Sequence, residues 1–165
     1  MTSKTADARD LFVHRKFAAP VSAVWEAWSR PEDLAEWWCP RPWRTEVLAY
    51  DFRTGGDFIA KMYGPEPEGG ESGVDGMFLL IEPMRQIIWT TGLVSGWRPA
   101  HEPFIPLTAI VTMKPDGKGT DYHIQVKHQS VEGAKAHEDM GFSEGWETCV
   151  TQLGEVAARL AKIRS

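Results

Sequence analysis

The 165-residue chain has the length of one ordinary domain, and 42% hydrophobic against 25% charged residues is the balance of a chain that buries a core. A formal net charge of −5, with Lys and Arg scattered along the chain, excludes the basic footprint on which nucleic-acid binding depends. The opening ten residues lack a signal-peptide apolar core and no apolar run reaches the ~20 residues that span a bilayer, so a cytoplasmic protein with no membrane partner is expected.

Residues 1–10 read as a disordered or extended N-terminus, and 11–163 as one domain. Residues 11–17 alternate in the manner of a strand. Pro20 opens a short helix carrying Val21, Val24, Trp25 and Trp28 at helical spacing, and Pro31 a second with Leu34, Trp37 and Trp38. The spacing predicts that Trp25, Trp28, Trp37 and Trp38 pack these helices into the core rather than wall a pocket. Residues 44–53 form a strand that Gly55-Gly56 turns into Phe58, Ala60 and Met62. Residues 64–73, rich in Pro, Gly and Glu, read as an exposed connection. Strands at 74–81 and 86–91 follow, and the run 77–81, apolar on both faces, requires cover on both sides.

Residues 92–106 form a long connection carrying Trp97, His101 and Phe104, apolar enough to act as a lid. Strands at 107–113 and 122–128 are joined by the turn Pro115-Asp116-Gly117-Lys118-Gly119. From Ser130 onward the period becomes helical, with Phe142, Trp146, Leu153 and Leu160 on one face and Trp146 as the anchor to the sheet. The order gives an α+β fold: a curved antiparallel sheet of about six or seven strands gripping one long C-terminal helix, with two short helices after the first strand.

Four blocks carry a family resemblance. They are Phe17-Ala18-Ala19-Pro20 with Val24-Trp25 and Trp28; Pro31-Glu32 with Leu34 and Trp37-Trp38; Asp51-Phe52-Arg53-Thr54-Gly55-Gly56; and His137 to Phe142 with Glu144-Gly145-Trp146. Together they resemble the START-like SRPBCC (Bet v 1-like) superfamily, and within it the activator of heat shock protein 90 ATPase homologue family. The resemblance implies a helix-grip fold with a hydrophobic cavity between sheet and C-terminal helix. It implies no common reaction, and it names a chaperone as a partner of some members.

The residues expected on the cavity wall are Leu48, Tyr50, Phe52, Phe58, Ala60, Met62, Trp89, Trp97, Tyr122, Ile124, Val126, His128, Phe142 and Trp146. Tyrosine hydroxyls and His128 supply its polar handles. This much apolar surface suits an uncharged or weakly anionic, largely apolar ligand bound without turnover. Two other functions compete: a co-chaperone-like or stress-response interaction module, and a cyclase-, dehydratase- or hydrolase-like enzyme using Tyr50, Tyr122 or His128. Gly141-Phe142-Ser143-Glu144-Gly145 has the spacing of a nucleophile elbow but lies in a helical segment with no later histidine, so no catalytic residue is assigned. His123 and His128, five apart on one strand, face opposite ways and cannot chelate together, and His137 among acidic neighbours reads as solvated; no metal and no cofactor are expected. Cys39 and Cys149, outside any C-x-x-C motif, read as reduced thiols. Either a monomer or a homodimer suits the chain.

Overall fold

The computed structural model of the chain describes residues 7–164. β1 (Asp10–Phe17) is followed by α1 (Val21–Ser29) and the short α2 (Pro31–Leu34). Pro20 is the residue before the first turn of α1, and its carbonyl accepts from the amides of Ala23 and Val24. β2 (Arg44–Tyr50), β3 (Asp57–Tyr63), β4 (Glu71–Glu82) and β5 (Gln86–Thr90) form a meander. A small hairpin, β6 (Leu93–Val94) and β7 (Arg98–Pro99), precedes β8 (Leu107–Asp116) and β9 (Gly119–His128), and α3 (Val131–Asp139) and α4 (Phe142–Arg164) close the chain. The expected α+β helix-grip architecture is present.

The main sheet has seven strands in the order β1-β9-β8-β5-β4-β3-β2, every neighbouring pair antiparallel. Register shifts between Val47 and Ala49 and between Phe78 and Leu80 interrupt two ladders, and such bulges bend the strands that carry them. Inward-facing Val13, Ala109, Val111, Tyr122, Ile124 and Val126 pack with α1 and with Val150, Leu153, Val156, Ala157 and Leu160 of α4. The second half of α4 lies closest: a Cβ built on Gly154 would sit 3.0 Å from the Phe17 ring, so the missing side chain permits the approach.

Four local expectations need correction. The terminal segment extends only to residue 9, because Asp10 already begins β1; residues 7–9 form a turn in which the Asp7 carboxylate accepts from the Arg9 amide at 2.9 Å, and residues 1–6 lie outside the described residues. The connection at 64–73 is shorter, since Glu71, Ser72 and Gly73 pair with Tyr63, Met62 and Lys61 as part of β4. The helical pattern after Ser130 is two helices, separated at Met140-Gly141, where Gly141 adopts φ +96°, a conformation that favours glycine. Finally, the first half of the 92–106 connection is not irregular: it forms the β6–β7 hairpin, whose first strand packs against β4.

Candidate functional site

Between the first half of α4 and the sheet lies a cavity of about 760 Å³, within the range of small-molecule sites. Helix α4 contributes Phe142, Gly145, Trp146, Cys149 and Val150. The sheet contributes Ala60, Met62, Val74, Trp89, Leu107, Val111, Tyr122 and Ile124, and the segment after α1 adds Trp37, Trp38 and Cys39. Phe104 and Met140 also border the cavity while remaining 79% and 58% exposed, which marks an apolar rim. Charged Lys61, Glu71 and Asp75 stand on the same margin, with Lys61 Nζ 3.1 Å from Glu71 Oε1.

The tryptophans expected only in the core also build the wall. Trp28 Nε1 donates to the Tyr122 hydroxyl at 3.0 Å and Trp37 Nε1 to the Ala27 carbonyl at 2.9 Å, which fixes both rings, and both line the cavity. Trp38 meets Trp89 edge-on at 5.5 Å, while Trp89 and Trp146 lie parallel with centroids 6.2 Å apart. These are favourable aromatic geometries, so the wall is rigid. Trp25 alone of the four early tryptophans stays away from the cavity, set against Phe52. Trp146 is half-buried at the cavity rather than sealed against the sheet, and the anchoring of α4 falls to the fully buried Leu153 and its neighbours.

Of the residues expected on the wall, Ala60, Met62, Trp89, Tyr122, Ile124, Phe142 and Trp146 are there. Leu48 is not: the bulge between Val47 and Ala49 turns it outward, 50% exposed. Tyr50, Phe52 and Phe58 form an aromatic cluster with Phe78 behind the wall, in which Phe58 stacks on Phe78 at 5.1 Å and backs the cavity tryptophans Trp38 and Trp89 edge-on, and the Tyr50 hydroxyl donates to the Trp28 carbonyl. Val126 is consumed by the core. Trp97 lies over Gly55, half exposed, outside the cavity lining, and only Pro103, Phe104 and Ile105 of the supposed lid border the cavity.

The polar handle is His137 rather than His128. His128 is buried, with Nδ1 3.0 Å from the Arg9 carbonyl and Nε2 2.9 Å from His137 Nδ1. A carbonyl only accepts, so His128 Nδ1 carries a proton; in the tautomer whose Nε2 accepts, His137 Nδ1 donates. His137 is left with a bare Nε2 that has no hydrogen-bond partner among the described residues, on a ring that lines the cavity. Burial, with His128 alongside, pushes the His137 imidazole down to about 4, so it is a neutral acceptor at physiological pH. Far from being solvated, this side chain is 8% exposed; Phe142 packs edge-on against it at 4.9 Å. The neighbouring Glu138 and Asp139 are exposed, and their polarity hid an inward-facing histidine on the same helix.

The other titratable groups are quiet. Burial pushes the Cys149 thiol up to about 12 and it donates to the Trp38 carbonyl at 3.3 Å, which leaves no thiolate nucleophile at neutral pH. Tyr122 is raised by burial despite the bond from Trp28. Ser143 is exposed in the first turn of α4 and donates to Glu138 Oε1 at 2.7 Å, with no histidine bonded to it among the described residues. The buried Gln152, a polar residue that no motif singles out, ties α4 to the chain before β2: it donates to the Cys39 and Trp37 carbonyls and accepts from the Arg41 amide. His123 and His128 do face opposite sides, but the β1–β9 register sets His14 opposite His123, and His14, His123 and Asp121 present ligand atoms within 4.8 Å of one another.

No curated protein matches the chain. Among solved structures, a protein from Nitrosomonas europaea is 36% identical over 94% of this chain and 97% of its own, with a TM-score of 0.85. A protein from Mycobacterium smegmatis, 23% identical over 90% of each chain at a TM-score of 0.74, shares the fold. So does the AHSA1 protein from Silicibacter pomeroyi, 20% identical over 90% of this chain and 97% of that one, at a TM-score of 0.66. The family model described as "Activator of Hsp90 ATPase homolog 1-like protein" matches residues 18–158, and with nearly the whole domain matched the chain belongs to that family, within the SRPBCC (Bet v 1-like) superfamily.

Proposed function

We propose that the protein binds a largely apolar, ring-containing small molecule in the cavity between α4 and the sheet, without covalent chemistry. The observation that carries this reading is the cavity wall itself: about 760 Å³ enclosed chiefly by aromatic and aliphatic side chains, with very few polar groups aimed at its contents. Those groups define the ligand further. Trp38, Trp89 and Trp146 have indole N–H groups with no hydrogen-bond partner among the described residues, whereas Tyr122, whose oxygen accepts from Trp28, is fully buried within the wall. Beside the His137 acceptor these indole donors favour a ligand bearing a carbonyl or hydroxyl oxygen, uncharged or weakly anionic. A cation would find opposing charge only at the rim, on Glu71 and Asp75.

The test is a titration with 1-aminoanthracene, a neutral fluorescent ring compound, followed by probe emission. Gly145 lines the cavity and a Cβ built there meets nothing within 4 Å, so Gly145→Phe starts a ring from an open position at the cavity wall. The variant should melt no lower than the parent, since a helix-interior glycine is replaced, and should bind the probe about tenfold more weakly. Equal probe affinity in a folded variant would remove the cavity from the account. The co-chaperone reading is supported by the family match alone. A pull-down of purified Hsp90 with and without saturating probe would test it: retention unaffected by the probe would favour a surface contact independent of the cavity.

A further inference from the structure

On the outer face of the sheet, away from the cavity, β9 alternates so that Tyr122 and Ile124 face the cavity while Asp121 and His123 face solvent. In the β1–β9 register His14 lies directly opposite His123, and their imidazoles stack at 4.1 Å with planes 11° apart. Both rings turn the same atom to the same carboxylate: His14 Nε2 is 2.6 Å from Asp121 Oδ1, and His123 Nε2 is 3.2 Å from Asp121 Oδ2. Two nitrogens and one oxygen thus converge from two strands whose pairing fixes their spacing. For metal bonds of ~2.1 Å, tetrahedral ligand atoms sit about 3.4 Å apart. Both N···O contacts are shorter than that value and all three ligand atoms lie within 4.8 Å of one another, so side-chain rotation has to open the contacts by less than about 1 Å to admit an ion.

We propose that His14, Asp121 and His123 form a binding site for one divalent transition-metal ion of the zinc, cobalt or nickel class. Two imidazoles and a single carboxylate are borderline ligands that suit these ions, whereas calcium and magnesium need more oxygen donors than the site offers. On binding, the two N–H···O contacts are exchanged for two nitrogen–metal bonds and one oxygen–metal bond. A ring that gives Nε2 to the ion keeps its proton on Nδ1, an atom with no partner among the described residues. The remaining coordination positions face solvent, because His14 and His123 are about half exposed, and water completes the shell. Lys16 and Lys114, in register with Asp121 on the flanking strands, oppose a dication, though Lys16 is itself drawn 3.4 Å from Asp116. They limit the affinity without occupying the ligand atoms.

The experiment uses chelator-treated, tag-free full chain at neutral pH, titrated with cobalt(II) by visible absorption and with zinc(II) by calorimetry. One equivalent of each ion should bind, zinc displacing cobalt. His14→Ala, His123→Ala and Asp121→Asn should each weaken binding by about tenfold or more, while His101→Ala, at an exposed histidine elsewhere, should leave it unchanged. Because the three ligands are on the sheet surface, circular dichroism should show all variants folded. No saturable binding by the parent chain, or an affinity that the three ligand variants leave intact, overturns the proposal.

Discussion

His137 illustrates how a single side chain acquires its properties from what surrounds it. Its ordinary value near 6.5 is lowered to about 4 by burial first and by the adjacent His128 second. Between those values the unfolded chain binds a proton that the folded chain refuses, so this contribution to stability is complete above about pH 6.5 and is lost as the pH falls toward 4. Urea denaturation at pH 7 and pH 4.5 should show a loss on the order of 1–2 kcal/mol from this residue, reduced from the full shift because the ring borders a solvent-reachable cavity. His137→Gln, which keeps a donor for His128 Nε2, should shrink that difference. At Gln152 the expectation is larger and independent of pH: Gln152→Leu leaves the Trp37 and Cys39 carbonyls and the Arg41 amide without their partner, and denaturation should register a loss of about 2–3 kcal/mol. Neither role was legible in sequence. A helical pattern reports which face is apolar, and both residues are polar side chains whose value comes from partners distant in the chain.

Helix α4 performs two tasks along its length. Its second half is a packing element: Leu153, Val156, Ala157 and Leu160 are buried, and Gly154 admits the Phe17 ring. Its first half stands over the cavity and presents Phe142, Trp146 and Cys149 to it. Truncation should separate the two. Leu153→Ala should cost about 3 kcal/mol of stability by chemical denaturation with little change in probe affinity. Trp146→Ala should cost only about 1–2 kcal/mol, because part of its ring already faces open space, and should weaken probe binding instead. The 3.6-residue period from Phe142 to Leu160 was readable because apolar residues recur at helical steps whatever they face. The break at Gly141 was not, since the pattern from Ser130 runs through it and only backbone geometry shows the left-handed turn. Strand bulges were equally silent. Alternation placed Leu48 with Tyr50 and Phe52, and one inserted residue between Val47 and Ala49 moved Leu48 to solvent.

For the molecule as a whole, element order was enough to give the helix-grip architecture, because antiparallel hairpins and a terminal amphipathic helix leave few ways to close a core. The cavity's location followed from that architecture, and its wall only in part. Residues that alternate along central strands, such as Tyr122 and Ile124, were foreseen, whereas Trp28, Trp37 and Trp38 reach the cavity from the α1–α2 segment through contacts that no local period encodes. The eight tryptophans allow the central claim to be tested in a single spectrum. In a nitrogen–proton correlation spectrum of labelled protein titrated with 1-aminoanthracene, the indole signals of Trp38, Trp89 and Trp146 should shift together and saturate. Those of Trp25, Trp43 and Trp97, which lie outside the cavity lining, should stay in place. Shifts centred on Trp43 or Trp97, with the three cavity indoles unmoved at saturation, would contradict binding between α4 and the sheet.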